Sequence, residues 1–231
     1  MKTKGFKRLG VGLALGLALA IPASALAQGM MGDGSGPGNG LGSGAGSGMM
    51  MGSTQNDQPV SEGWGGATWS YAQVKQYLAA SNAQGTVDKA GKTVRFSGHE
   101  VVIDMVAVQP GHDDGTFEVH GVTNPTLVVP AGATVHLNLV NMDYGKDMEH
   151  GVIITPVAPP YQHNVMMQTG RGLAGISPPI PWRSAKDITQ SEYAAVGATF
   201  VARSPGVYWY ICQTPGHAAK GMYGKFVVSG D

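Results

Sequence analysis

The sequence contains a single cysteine, Cys212, among 231 residues, and only 13% of its residues are charged. One cysteine excludes an internal disulfide and a structural zinc site built from paired cysteines. Basic and acidic residues number 15 each, so the chain lacks the basic excess of a nucleic-acid-binding protein. A lone cysteine in an exported protein is expected to be buried, paired with another molecule or bound to a metal.

The first 27 residues have the order of a secretory signal peptide. Four basic residues and no acidic residue precede an apolar run from Val11 to Ile21, which Pro22 and Ala25-Leu26-Ala27 follow. We expect cleavage after Ala27 and export to the periplasm. The alternative is an uncleaved membrane anchor, although the run is short for a span of about 20 residues. Removal of this segment leaves 11 basic and 15 acidic residues, a net charge of −4.

Residues 28–57 consist mainly of Gly, Ser, Met and Asn and predict a flexible linker. The linker includes Met30, Met31 and the triplet Met49-Met50-Met51. Because thioethers are soft ligands for Cu(I), a copper-collecting arm is an alternative interpretation of this segment. Residues 58–231 are long enough for one folded domain with one core.

The folded domain begins with a predicted helix and is otherwise rich in strands. Thr68 can cap the helix, and Trp69, Val74, Tyr77 and Leu78 lie on one side at helical spacing. A long loop is expected from Pro156 to Pro181. The predicted strands are Val94–Phe96, Glu100–Val108, Thr116–His120, Thr126–Val129, Ala133–Asn141, Val152–Thr155, Ala198–Ala202, Val207–Ile211 and Lys225–Ser229. Many short strands separated by turn residues predict an all-β sandwich with a short amino-terminal helix.

The chemistry is concentrated between Val207 and Val228, in the sequence VYWYICQTPGHAAKGMYGKFVV. Cys212 ends a β-rich run, His217 follows five residues later, and Met222 another five residues later. A thiolate and a thioether together favour copper, and two histidines, one cysteine and a weak axial methionine form a blue copper site. The spacing therefore predicts a mononuclear copper site.

The second imidazole must come from elsewhere in the chain. His150 follows the loop after the predicted strand Ala133–Asn141 and directly precedes the apolar run Val152–Ile154. It is the preferred candidate because a trigonal plane requires ligands from more than one direction. The competing histidines are His99, His112, His120, His136 and His163. Of these, His136 lies on the polar face of its strand, and His120 and His163 are expected at the surface or in loops.

The Cys212 segment resembles the copper loop of the rusticyanins, periplasmic blue copper proteins of the cupredoxin family. The resemblance extends to TFEVHGVTNPTLVVPAGATV from Thr116 to Val135 and to Gln73-Val74-Lys75, and so covers most of the chain from Trp64 to Asp231. Sulfocyanins share the Cys-x4-His-x4-Met spacing. The resemblance implies a Greek-key cupredoxin sandwich that carries one type 1 copper.

The resemblance also implies a role for each ligand and for the protein. Cys212 would supply the thiolate, His150 and His217 the equatorial imidazoles, and Met222 the axial sulfur. The expected function is electron transfer without catalysis, by a monomer, with c-type cytochromes or a terminal oxidase as partners. Copper sequestration or delivery is the alternative, and a copper enzyme is disfavoured because the additional histidine clusters of further coppers are missing.

The sequence departs from the family pattern beside the first ligand. The loop before His150 carries Asp143, Asp147 and Glu149, where the family is usually uncharged, and position 151 is Gly where the family offers a hydroxyl. Carboxylates near copper favour Cu(II), so we expect Asp147→Asn or Glu149→Gln to raise the potential. Asn141 or Asp143 is expected either to hydrogen-bond around the site or to serve as an ordinary polar turn residue.

Overall fold

The computed structural model describes residues 59–60, 64–81, 84–170 and 172–230. The predicted signal peptide (1–27) and linker (28–57) lie outside the described residues, so both remain predictions. In the described ranges, no helix is long and apolar enough to cross a membrane.

Two sheets form the body of the domain. The strands are β1 (Ala67–Ser70), β2 (Thr86–Asp88), β3 (Thr93–Arg95), β4 (Glu100–Ala107), β5 (Phe117–Val119), β6 (Val122–Thr123), β7 (Thr126–Pro130), β8 (Thr134–Asn141), β9 (His150–Thr155), β10 (Ala174–Ile180), β11 (Glu192–Val201), β12 (Gly206–Ile211) and β13 (Tyr223–Ser229). One sheet has the order β1-β11-β8-β4-β5-β6, and the other has the order β10-β9-β12-β13-β7-β3-β2. This arrangement confirms the predicted sandwich.

The core lies between the sheets and follows the alternation of the strands. Val135, Leu137 and Leu139 of β8 are buried in the main apolar cluster, as their spacing predicts. His136 and Asn138 point to the opposite face, where they bind Glu100 and Asp104 on β4. Tyr210 of β12 and Cys212, which directly follows β12, belong to the same cluster, so the single cysteine is buried at the end of a core strand.

A helix covers the outer face of the first sheet. Helix α1 (Tyr71–Ser81) buries Val74 completely, together with Val106, Val140 and Tyr193 of the sheet. The predicted cap, Thr68, is wrong because this residue lies in β1. Ser70 caps the helix instead: its hydroxyl accepts the amide of Gln73 at 3.4 Å, and the Gln73 side chain accepts the amide of Ser70 at 2.9 Å.

The segment predicted as a long loop contains regular structure. Helix α2 (Val165–Thr169) and strand β10 both lie within Pro156–Pro181, and β10 pairs with β9 beside the first predicted ligand. The prediction missed β10 because its Pro178 and Pro179 are typical of loops. They are tolerated at this position because β10 is an edge strand. Strand β11 also begins six residues earlier than the predicted Ala198.

Candidate metal centre

Three of the four predicted ligands lie in the connection between β12 and β13. Cys212 follows the last residue of β12, and Met222 precedes the first residue of β13. The amide of Cys212 donates to the carbonyl of Met222 at 3.0 Å, and the amide of Met222 donates to the carbonyl of His217 at 3.0 Å. A short 3-10 helix (Ala218–Lys220) joins His217 to Gly221. These bonds fold the connection into a compact loop, called the copper loop below (residues 212–222).

His150 comes from the other side of the site, as the first residue of β9. Its Nδ1 lies 3.6 Å from Sγ of Cys212 and 3.2 Å from Nδ1 of His217. The third edge, from Sγ of Cys212 to Nδ1 of His217, is 3.6 Å. The point in the plane of the three atoms that is equidistant from them lies about 2.0 Å from each. Metal–nitrogen bonds in proteins are ~2.0–2.1 Å and metal–sulfur bonds ~2.3 Å, so the triangle has the size that one metal ion requires.

The electrostatics of this triangle suit a cation. Burial raises the pKa of the Cys212 thiol, but the hydrogen bonds and charges of His150 and His217 outweigh burial and bring the pKa to about 5. Burial lowers the pKa of His150, whereas Asp143 and Cys212 raise it, to about 9. Without a metal, a protonated His150 balances the thiolate. His150 would release that proton to hold a metal ion, because metal binding requires a neutral imidazole.

Met222 is completely buried and belongs to the same apolar cluster as Cys212. The carbonyl of Gly221, one residue earlier, accepts a hydrogen bond from Nδ2 of Asn124 at 3.1 Å. Oδ1 of Asn124 accepts the amide of Phe117 on β5 at 2.8 Å. Asn124 therefore ties the end of the copper loop to the opposite sheet.

The loop before His150 is held by side chains rather than by regular pairing. Nδ2 of Asn141 donates to the carbonyls of Met148, Ile180 and Pro181 at 2.9, 3.2 and 3.1 Å. The hydroxyl of Thr214, in the copper loop, donates to the carbonyl of Glu149 at 2.7 Å. The two ligand-bearing loops are thus joined directly to each other.

Comparison with known proteins identifies the family. A model of the sulfocyanin (SoxE) domain matches residues 91–231. Rusticyanin from Acidithiobacillus ferrooxidans is 38% identical over 161 residues, which cover 70% of this chain and 80% of that protein. A structure of reduced rusticyanin superposes with a TM-score of 0.61 at 37% identity, covering 71% of this chain and 99% of that one. Another rusticyanin structure, reported as a copper protein, is 34% identical with a TM-score of 0.56, covering 71% of this chain and 97% of that one.

The chain is a rusticyanin-like cupredoxin. This family of blue copper proteins consists of electron carriers, and the cluster of His150, Cys212 and His217 can hold one copper ion. Among the described residues it is the one group of at least three His, Cys, Asp or Glu side chains whose ligand atoms converge. The structure thus brings together three of the predicted ligands of this cupredoxin. Met222 stays a prediction as the axial ligand.

The competing histidines lie outside this cluster in the cupredoxin. His136 is half-exposed and contacts Glu100 and Thr199, as expected for the polar face of its strand. His163 is exposed, and its carbonyl accepts the amide of Gly216 at 2.8 Å. His120 lies in the turn after β5, which agrees with the expected loop position, but it is not at the surface. Its ring is buried against Phe96, with a centroid distance of 5.9 Å, because the turn after β5 folds it inward.

Proposed function

We propose that this cupredoxin is an exported electron carrier with one type 1 copper held by His150, Cys212, His217 and Met222. The observation that carries the proposal is the triangle of two imidazole nitrogens and one sulfur, with edges of 3.2, 3.6 and 3.6 Å. Bound copper supplies a one-electron couple, Cu(I)/Cu(II). With Met222 as the fourth ligand, the four side chains would leave no position for a substrate, unlike a catalytic metal site.

Electrons are expected to leave through the edge of His217. His150, Cys212 and Met222 are almost completely buried, whereas His217 is partly exposed. Around it, Pro215, Ala219, Lys220 and Gly221 reach the surface. This small surface with a single charge suits brief docking of a redox partner.

The proposed location is the periplasm, supported by the signal-like segment 1–27. The proposed partners are c-type cytochromes or a terminal oxidase of a respiratory chain, by analogy with the rusticyanins. The same analogy extends the proposal to a respiratory chain that oxidises iron. The alternative, copper delivery, is motivated by the methionines of residues 28–57.

Visible spectroscopy of the copper-loaded full chain tests the proposed site. We expect an intense absorption band near ~600 nm, from the bond between a cysteine thiolate and Cu(II), that bleaches on reduction and returns on oxidation. Cys212→Ser should abolish the band, whereas His163→Asn, beside the copper loop but outside the triangle, should keep it. A band that survives in Cys212→Ser would refute the site.

Copper retention separates the two functions. An electron carrier keeps its metal through repeated oxidation and reduction, whereas a delivery protein transfers Cu(I) to an acceptor. Incubation of the reduced protein with a Cu(I) chelator of intermediate affinity, followed by reoxidation, measures the fraction retained. Rapid loss of most of the copper would favour delivery.

A further inference from the structure

The carboxylate of Asp143 contacts the outer nitrogen of His150. Its Oδ2 lies 2.8 Å from Nε2, and both residues are buried. Nδ1 of the same ring faces Sγ of Cys212, so the two ring nitrogens have different partners. An ionised carboxylate accepts hydrogen bonds and cannot donate them. In the neutral imidazole that a metal requires, Asp143 would therefore keep the proton on Nε2 and leave the lone pair of Nδ1 directed into the site.

Hydrogen bonds hold both the backbone and the carboxylate of Asp143 in place. Its amide donates to Oδ1 of Asn141 at 3.0 Å, and its carbonyl accepts the amide of Arg183 at 3.0 Å. Its Oδ1 accepts the amide of Tyr144 at 2.7 Å, which leaves Oδ2 for His150. The guanidinium of Arg183 also binds the carbonyl of Met142. These contacts, with the loop before His150 and with the segment around Arg183, orient the carboxylate toward the imidazole ring of His150.

The negative charge of Asp143 has a single ion-pair partner within the described ranges, and that partner is His150. The guanidinium of Arg183 donates to three backbone carbonyls of its surroundings. Close to a metal, a buried carboxylate whose ion-pair partner is the metal-binding imidazole itself stabilises the more positive oxidation state.

We propose that Asp143 is a positioning residue of the copper site, which orients Nδ1 of His150 toward the metal and whose charge favours Cu(II) over Cu(I). The inference rests on the proposed function, because it presupposes copper at His150, Cys212 and His217. It also revises the expectation for Asp147, whereas the expectation for the buried Glu149 stays a prediction. Asp147 is exposed, so its charge is screened by solvent and salt.

The test compares Asp143→Asn with the matched control Asp147→Asn in the full chain. Both remove one negative charge from the same loop, but only the first removes the contact with His150. The side-chain oxygen of the introduced asparagine can accept a hydrogen bond from either the Tyr144 amide or Nε2–H of His150. Its NH₂ group then faces the remaining donor and cannot accept a hydrogen bond from it. We expect Asp143→Asn to raise the dissociation constant of Cu(II) roughly 10- to 100-fold, in the range found for partners of metal-binding histidines.

The affinity for Cu(I) should fall less, because Cu(I) gains less from the negative charge. Each tenfold difference between the two losses raises the midpoint potential by about 59 mV. Asp147→Asn should leave both the affinities and the potential near those of the unchanged protein. Redox titration and competition with chelators of each oxidation state provide these values.

Two outcomes would overturn the inference, and they differ in what else they overturn. If Asp143→Asn lowers only the stability of the copper-free protein to urea, and its potential equals that of Asp147→Asn, then Asp143 is structural and the proposed copper function stands. If no blue band forms in the unchanged protein or in either variant, the proposed function fails together with the inference.

Discussion

Gly151 gives the sharpest stability prediction, because it follows His150 in β9 and lies between the copper loop and β10. A Cβ atom at this position would lie 2.2 Å from Nε2 of Gln213 and 2.8 Å from the carbonyl oxygen of Ile176. Real Cβ atoms do not approach other atoms this closely. Gln213 directly follows Cys212 and is buried, and its Nε2 donates to the carbonyl of Ile176 at 3.2 Å. The hydroxyl residue that the family offers at position 151 does not fit beside this glutamine.

The magnitude follows from the two contacts. Gly151→Ala must displace the amide of Gln213, which loses a hydrogen bond worth about 1 kcal/mol. The approach to the carbonyl of Ile176 then requires a shift of β10, and overpacking of this kind destabilises by typically 1–3 kcal/mol. We therefore expect Gly151→Ala to lower the free energy of unfolding by about 2–4 kcal/mol.

Urea denaturation of the copper-free chain measures this change. The matched control is Gly65→Ala, where the added Cβ would meet nothing within 4 Å. Its effect should stay within about 0.5 kcal/mol, as for an ordinary surface substitution. Gln213→Ala should destabilise the protein by itself, but the double variant with Gly151→Ala should be more stable than the sum of the single effects predicts. The expected coupling is about 1 kcal/mol, because the methyl group and the amide compete for the same space.

An equal effect of Gly151→Ala and Gly65→Ala would refute the steric argument. Additivity of Gly151→Ala and Gln213→Ala would refute the part of it that concerns the glutamine, and would leave Ile176 as the source of the strain.

Two further predictions concern His120 and Asn124, in the turns that follow β5 and β6 of the first sheet. Burial lowers the pKa of His120, so the unfolded chain binds more protons as the pH falls below about 6.5, and stability should decline there. His120→Asn, which tolerates the left-handed backbone at this position, should flatten the decline, and equal pH slopes of urea midpoints in both proteins would contradict this. Asn124→Ala removes the bond to the carbonyl of Gly221 and should destabilise the chain by about 1–3 kcal/mol. It should also change the position or intensity of the visible copper band through Met222, and an unchanged band would show that the loop keeps its position without Asn124.

The sequence predicts the parts of this protein that depend on neighbouring residues. The alternation of Val135, Leu137 and Leu139 identifies β8 and its inner face, because successive side chains of a strand point to opposite sides. The spacing of Cys212, His217 and Met222 identifies the copper loop, because three soft or borderline ligands within one connection have few other uses. His150 required a remote inference; its Nδ1 converges with Cys212 and His217 in the structure, and its role as a ligand stays a prediction.

The remaining features depend on contacts between distant parts of the chain. Asn124 and Gly221 are 97 positions apart, so no local pattern indicates their hydrogen bond. Asp143 looks like one of three equivalent carboxylates in the sequence, and only the fold of the loop separates it from the exposed Asp147. Strand β10 was missed because its prolines contradict the strand pattern, while its pairing with β9 is set by tertiary packing.

These distant contacts explain why the site keeps its shape. Thr214 ties the copper loop to Glu149 in the loop before β9, and Gln213 ties it to Ile176 of the second sheet, whereas Asn124 ties it to the first sheet. The ligand atoms are therefore positioned by hydrogen bonds of the protein rather than by the metal alone. A preorganised site does not need to rearrange when its charge changes. Because Cu(I) and Cu(II) would meet the same set of fixed side chains, electron exchange requires little movement, and any substitution that loosens one of these ties should slow it.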